Sequence, residues 1–172
     1  VRGADVIEDV FVTTPTLTRA EIALTVSGSG ARRRVTLLDA AGAVCAMTEG
    51  DDNKYYVNYS SARPWTLDET NLYSIRAELL DASGAVTDEK TVRFGFRTAE
   101  FRRSGFYLNG ERVFLRGLNR HQCYPYMGYA APEALQREDA RILKEELCCT
   151  AVRTSHYPQS RHFIDACDEL GL

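Results

Sequence analysis

The hydrophobic pattern of the chain changes its period near residue 100, and no other feature limits the fold as much. From residue 5 to about 98, apolar and polar residues alternate in short runs with turn residues between them, as in Ile22 to Val26 and Val92 to Phe96. Alternation with a period of two is typical of half-buried strands. About seven such runs predict an antiparallel β-sandwich of immunoglobulin type over residues 1–100.

Two short segments of this half are almost identical. L-L-D-A-A-G-A-V at Leu37–Val44 returns as L-L-D-A-S-G-A-V at Leu79–Val86. In each segment an aspartate opens a turn and a glycine permits a positive φ. We expect two hairpins with the same turn chemistry, because two copies are too few for a repeat architecture.

The second half begins with a different signal. Asn109-Gly110 lies between Phe106–Leu108 and Val113–Leu115, and Asn-Gly between apolar runs is the strongest short-range indication of a hairpin. We expect the second arm to run on through Gly117-Leu118 and to end at Asn119 to His121.

Helical periodicity follows a loop rich in tyrosine, proline and glycine. Pro132 fits the first position of an amphipathic helix of roughly four turns. Thr150–Arg153 predicts a short strand, and a second helix is expected to end where Gly171 can cap it. The apolar stripes of the two helices are Leu135, Ile142, Leu143 and Leu147, then Phe163, Ile164, Cys167 and Leu170.

Strand, loop, helix, strand, loop and helix in this order are typical of a parallel α/β unit. Residues 101–172 therefore predict an incomplete α/β segment after the sandwich. Ligand-binding groups in such units lie beyond the carboxyl ends of the strands. We expect Asn119 to His121 and Arg153 to His156 to meet at one edge.

Composition excludes several classes of function. The net charge of -3 and the pI near 5.7 argue against a nucleic-acid partner, and no apolar run reaches the roughly 20 residues that cross a membrane. Five irregularly spaced cysteines without a C-x-x-C pair give no support for a zinc or redox site. We expect reduced core thiols in the cytoplasm and no cofactor or metal. The cysteines are Cys45, Cys123, Cys148, Cys149 and Cys167.

Two polar segments carry a resemblance to a known family. G-F-Y-L-N-G-E-R-V-F-L-R-G-L-N-R-H at Gly105–His121 and T-A-V-R-T-S-H-Y-P at Thr150–Pro158 resemble the first part of the (β/α)8 barrel of glycoside hydrolase family 2, in particular of its β-galactosidases. Asp88–Thr98 and Ala62–Tyr73 resemble segments of the family's immunoglobulin-like domain, with Asn71 where proline is commoner. The resemblance covers nearly the whole chain.

The resemblance implies roles for five residues toward a β-linked sugar substrate. His121 and His156 match histidines that contact sugar hydroxyls, and Arg153 matches an arginine that lies against the nucleophilic carboxylate. Asn119 and Arg120 match residues of the pocket floor. Neutral imidazole offers one donor and one acceptor to a hydroxyl, and a nearby guanidinium keeps a carboxylate ionised.

The resemblance does not identify which terminal sugar the family member would bind. Gln122 stands where the β-galactosidases usually carry glutamate. Arg120 stands where β-glucuronidases more often carry lysine, which favours the galactosidase side. A β-glucuronidase is the alternative within the family.

Both catalytic glutamates of the family lie on later barrel strands, and retaining hydrolysis needs two carboxylates about 5 Å apart. A full barrel needs roughly 250 residues. We therefore expect an inactive fragment without a catalytic residue, whose uncovered faces lead to a homo-oligomer, disorder or exchange of roughly the last 60 residues. The acids of this region are expected to be solvated on helices: Glu138, Glu145, Glu146, Asp165, Asp168 and Glu169.

Two other classes of protein remain as alternatives. A carbohydrate- or protein-binding sandwich module would be favoured by a flat platform of exposed aromatic residues, and a complete small enzyme would need a converging acid and base. Trp65 is expected to pack at the end of the sandwich, with stacking on a ligand as the alternative. Loop packing is favoured over stacking for Tyr124, Tyr126 and Tyr129.

Overall fold

The computed structural model describes residues 5–28 and 32–172. They divide into two compact units. The first unit takes in the chain up to Pro64 together with Asn71–Thr98, and the second takes in Trp65–Thr70 and Ala99–Leu172.

The first unit is an antiparallel sandwich, as the alternating pattern predicts. Three strands form one sheet in the order β1-β2-β5, and four form the other in the order β4-β3-β6-β7. The inward residues of both sheets make one core that includes Ile22, Leu37 and Ile75. The strands are β1 Val6–Thr16, β2 Arg19–Ser27, β3 Arg32–Leu38, β4 Val44–Gly50, β5 Lys54–Asn58, β6 Tyr73–Leu80 and β7 Val86–Phe94.

The two similar segments form equivalent hairpin turns, and that prediction is confirmed. Asp39 Oδ1 accepts hydrogen bonds from the N–H groups of Ala41 and Ala43, and Asp81 Oδ1 accepts them from Ser83 and Ala85. Gly42 and Gly84 have φ of 81° and 84°, a region that favours glycine. These bonds lower the pKa of the Asp81 carboxyl, with the Ser83 hydroxyl as the largest cause.

The second unit combines a small antiparallel sheet with the parallel segment that the pattern predicts. β8, β9 and β10 form the antiparallel sheet, and β11 and β12 pair in parallel. The elements are β8 Ala99–Arg102, β9 Gly105–Leu108, β10 Glu111–Val113, β11 Gly117–Arg120, α1 Glu133–Arg141, β12 Ala151–Thr154 and α2 Arg161–Leu170, with a π-helical segment at Ile142–Glu146.

The Asn-Gly hairpin is confirmed, but its second arm is shorter than expected. Asn109 and Gly110 have φ of 54° and 84°, as a two-residue turn with two positive φ angles requires. β10 ends at Val113, and β11 is a separate strand. The Arg116 N–H donates to Thr150 Oγ1 at 2.9 Å, so the chain leaves the hairpin to pair with β12 instead.

Both helices form as predicted, but only part of each predicted stripe faces the core: Leu143, Phe163 and Cys167 are buried, whereas Leu147 and Ile164 are exposed. Pro132 lies just before α1 rather than inside it, and α1 passes into the π-helical segment. Gly171 ends α2 as predicted, with a φ of 78° and its N–H bonded to the Cys167 carbonyl. The core of this unit is Ala140, Leu143, Cys149, Phe163, Ala166 and Cys167.

Trp65 packs in the second unit, so its expected place at the end of the sandwich is wrong. Its indole N–H donates to the Asp168 carbonyl at 2.7 Å, and Thr70 Oγ1 donates to the Glu169 carbonyl. Trp65 is only 3% exposed, which leaves no open ring face for a ligand to stack on.

The thiols differ in exposure more than the sequence predicts. Cys149 and Cys167 are buried core residues, whereas Cys123 and Cys148 are exposed. Burial raises the pKa of Cys167 to about 12. No helix within residues 5–28 and 32–172 is long and apolar enough to cross a membrane.

Candidate functional site

The parallel pairing of β11 with β12 brings the two polar segments to one edge. Asn119 is the register partner of Arg153, and Arg120 is the partner of Thr154. Side chains alternate along each strand, so Asn119 and Arg153 share one exposed face while Arg120 points to the buried side. The carboxyl ends of these strands, with residues 119–122 and 153–157, are called the rim below.

The two histidines of the prediction lie next to each other on the rim. The ring centroids of His121 and His156 are 5.8 Å apart, with 64° between the ring planes. Both residues are exposed. His156 has a φ of 65°, in a region that L-residues other than glycine seldom adopt. This sharp turn after β12 turns the chain back toward His121.

Tyr157 joins the histidine pair and was not among the predicted site residues. Its hydroxyl accepts the Gln122 N–H at 3.0 Å and lies 3.3 Å from His121 Nδ1. The tautomer of the His121 ring decides which of these two groups donates in the contact.

Gln122 has a structural contact at the rim. Its Oε1 accepts the N–H of Ser160 at 2.8 Å, directly before α2, where Ser160 makes no side-chain cap of its own. The free N–H groups at a helix start need such an acceptor. The amide thus joins the carboxyl end of β11 to the start of α2.

Arg120 lies on the helix side of the strands in a buried polar network. Its Nε and Nη2 donate to Asp139 Oδ2 at 2.9 and 2.8 Å. Nη1 donates to Gln159 Oε1 at 2.5 Å, and Nη2 also donates to Gln136 Oε1 at 2.7 Å. The guanidinium carbon is 3.9 Å from the ring centroid of Phe163. Arg120 therefore links the end of β11 to α1 and to the segment before α2, on the buried side of the rim.

The loop tyrosines have different environments. Tyr124 packs as predicted, because its hydroxyl bonds Asp139 Oδ1 and the Leu135 carbonyl. Burial and then the Asp139 carboxylate raise the pKa of Tyr124 to about 12. Tyr126 is fully exposed, and Tyr129 is 65% exposed with its ring edge-on to Tyr157 at 5.7 Å. Loop packing therefore describes Tyr124 alone, and Tyr129 extends the aromatic wall of the rim.

Three acids of α1 and of the π-helical segment are engaged away from the rim. Glu138, Glu145 and Glu146 all bond the exposed Arg141, as expected for solvated helix charge. Within the part of the chain that the structure describes, no cluster of three or more metal-ligating side chains occurs.

The site that emerges is rich in hydrogen-bond donors and acceptors and has an aromatic wall. Sequence reasoning missed Tyr157, Gln159 and Asp139. Tyr157 lies inside the quoted segment at Thr150–Pro158, so its place could have been found. Asp139 follows Gln136 at a spacing of three, which places both on one helix face, but the sequence does not show that this face meets Arg120.

Known proteins resemble this chain in sequence and fold. The family described as Glycosyl hydrolases family 2 matches residues 6–97, and its TIM barrel domain matches residues 99–172. A β-galactosidase of Thermoanaerobacterium thermosulfurigenes is 53% identical over 115 residues, which are 67% of this chain and 16% of that protein. A β-galactosidase of Rhizobium meliloti is 37% identical over 145 residues, 79% of this chain and 19% of that protein.

A solved structure matches the fold over almost the whole chain. The β-glucuronidase of Bifidobacterium dentium, complexed with coumarin-3-O-glucuronide, has a TM-score of 0.88 and 28% identity, and covers 99% of this chain and 30% of that one. The chain thus spans less than a third of the length of each of these proteins. Both units are matched, and the chain belongs to glycosyl hydrolase family 2.

Proposed function

We propose that the rim binds the terminal sugar of a β-galactoside, as part of a retaining glycosidase longer than these 172 residues. The observation that carries the proposal is the adjacent pair of exposed histidines, His121 and His156, with Tyr157 bonded to the first. An imidazole offers one donor and one acceptor to sugar hydroxyls when it is neutral. Bonds to sugar hydroxyls that strengthen in the transition state are worth several kcal/mol.

Each predicted site residue has a separate task in this proposal. Asn119 and Arg153, side by side on the exposed face, contact the sugar and the nucleophilic carboxylate. The guanidinium of Arg153 would hold that carboxylate ionised and ready to attack. Arg120 supports the pocket floor through its network with Asp139 and Gln159.

The catalytic carboxylates would come from other parts of the longer enzyme. A retaining glycosidase places two carboxyl groups about 5 Å apart across the scissile bond. The acids of α1 and of the segment that follows it lie against Arg141, Arg120, Tyr124 and His162. We therefore expect the 172-residue chain to hydrolyse no glycoside by itself.

The galactoside is favoured over the glucuronide by Arg120 and by the named β-galactosidases among the relatives. A β-glucuronidase is the second candidate, since the Bifidobacterium dentium enzyme shares the fold over 99% of this chain. The free thiols, two of them exposed, fit an enzyme of the cytoplasm, where thiols stay reduced.

The test is a hydrolysis assay with an aryl β-galactoside and an aryl β-glucuronide, on this chain and on the full-length product of its gene. In the full-length protein, His121→Ala and His156→Ala should each lower kcat/KM for the galactoside about 100-fold, equal to roughly 2.7 kcal/mol. His162→Ala, on an exposed part of α2, is the matched control. Turnover by the 172-residue chain, or a preference for the glucuronide, would contradict the proposal.

A further inference from the structure

The outer face of the sheet β1-β2-β5 carries two exposed aromatic rings. Phe11 is 62% exposed and Tyr56 is 51% exposed. Both alternate with buried neighbours on their strands, Val10 and Tyr55, so the fold itself directs these rings outward.

A shallow groove of about 180 Å³ lies between the two rings. Its outward residues are Phe11, Thr13, Glu21, Ala23, Lys54 and Tyr56, and they are called the aromatic groove below. Phe11 faces Ala23 across one strand pair, and Tyr56 faces Glu21 across the next. The small Ala23 therefore forms the floor, and strand geometry puts the Cα atoms of the two aromatic residues about 12 Å apart.

Tyr56 is held in place by charged neighbours. The Arg19 guanidinium carbon is 4.6 Å from the Tyr56 ring centroid, and Arg19 Nη2 is 3.8 Å from the Glu21 carboxylate. A cation over one ring face favours one orientation of that ring. This preference reduces the entropy that the ring loses when a ligand binds.

We propose that the aromatic groove is a second carbohydrate-binding site, which takes a β-linked glycan chain and lies in a different unit from the rim. The C–H faces of a sugar ring can stack on Phe11 and Tyr56, while hydroxyls can bond Thr13, Glu21 and Lys54. The proposal does not depend on catalysis at the rim.

The dimensions favour a sugar chain over a protein partner. Stable protein interfaces bury roughly 800 Å² on each side around an apolar centre, whereas this groove alternates two rings with polar and charged side chains. It is also smaller than the roughly 300–1,000 Å³ of pockets that enclose a drug-sized ligand. A shallow open groove of this kind suits one ring of a longer chain that continues past both ends.

The test is affinity electrophoresis of the 172-residue chain in gels that contain soluble β-1,4-galactan. Wild type should be retarded, and Phe11→Ala and Tyr56→Ala should each weaken binding about tenfold, since each removes one stacking face. Phe11→Tyr and Tyr56→Phe keep the rings and should bind as wild type does. Met47→Ala, an exposed apolar residue of the other sheet, is the matched control.

The outcomes distinguish this groove from the rim. Retardation that is lost in a His121→Ala, His156→Ala double variant but kept in Phe11→Ala and Tyr56→Ala would place the glycan at the rim and overturn the proposal. Absence of retardation in wild type would also overturn it. The proposal would also be overturned if Tyr56→Ala changed the sedimentation of the chain but left galactan binding unchanged. That result would show that the aromatic groove is a contact between copies of the chain.

Discussion

The buried network around Arg120 gives the sharpest prediction about stability. The Arg120 side chain is only 5% exposed and donates two bonds to one carboxylate oxygen of Asp139, whose side chain is 25% exposed. Removing one partner of a buried ion pair costs about 3–5 kcal/mol, because the other charge stays buried without its counterion. Asp139→Ala should therefore destabilise the second unit.

The expected loss is near the lower end of that range. Gln136 and Gln159 still accept from the guanidinium, and Asp139 is partly solvated, so the loss of unfolding free energy is expected to be about 3 kcal/mol. Arg120→Met should also destabilise the second unit, because it leaves the Asp139 carboxylate and the buried Gln136 Oε1 without their donor.

The assay is urea unfolding followed by the fluorescence of Trp65. Trp65 is the single tryptophan of the chain, and it is buried within the second unit, so its transition reports on that unit. Glu138→Ala is the control: it removes the carboxylate next along the helix, which pairs with the exposed Arg141, and surface pairs contribute little. A loss below about 1 kcal/mol for Asp139→Ala, or equal losses for Asp139→Ala and Glu138→Ala, would refute the reasoning.

Three further predictions concern thiols, backbone packing and alkaline pH. An aromatic disulfide reagent should label Cys123 and Cys148 quickly in the native chain and the buried thiols only after unfolding, because reaction needs an accessible thiolate. Gly117→Ala should disrupt the pairing of β11 with β12, because an added Cβ would lie 1.9 Å from the Ala151 carbonyl oxygen. Raising the pH from about 10 to about 12 should lower the free energy of unfolding through Tyr124, because its pKa is raised to about 12 in the folded chain. The stabilising effect of Tyr124 is fully present below the unfolded pKa and is lost as the pH rises through the folded pKa.

Each of these results has a matched comparison. Cys123→Ser and Cys148→Ser should each remove one fast-reacting thiol, and labelling of Cys167 at the fast rate would contradict the structure. Gly42→Ala, where an added Cβ meets nothing within 4 Å, should cost only the strain of its positive φ, roughly 1 kcal/mol. Tyr124→Phe should abolish the alkaline loss that is assigned to Tyr124, and an unchanged pH profile would contradict that assignment.

The sequence predicts most of the fold where one strong local rule applies. The alternating runs predict the sandwich, and Asn109-Gly110 predicts a hairpin because both residues tolerate a positive φ. β4 was missed because Val44–Gly50 lies at the edge of its sheet, with no fully buried residue and no clear alternation. β8 was missed because all four of its residues are exposed, so burial left no pattern in the sequence.

Only part of the candidate site could be predicted from the sequence. Parallel pairing of two consecutive strands is a topological rule, so the meeting of the segments around Asn119 and Arg153 could be predicted. The direction of the Arg120 side chain could not be predicted. It depends on where β11 begins, and the break between β10 and β11 was not expected from the sequence. Trp65 was misplaced for a related reason, since its partner, the carbonyl of Asp168, is more than a hundred residues away in the chain.

The sugar-binding role of the rim is tested most directly with the three histidines of the chain. Their imidazole resonances can be followed by NMR while an uncleavable thio-β-galactoside is added to the 172-residue protein. We expect the resonances of His121 and His156 to shift with a common affinity, and His162, whose Nδ1 lies 3.5 Å from Glu133, to stay unchanged. Unchanged resonances of His121 and His156, or an equal shift of all three, would contradict the assignment of the rim as a sugar-binding site.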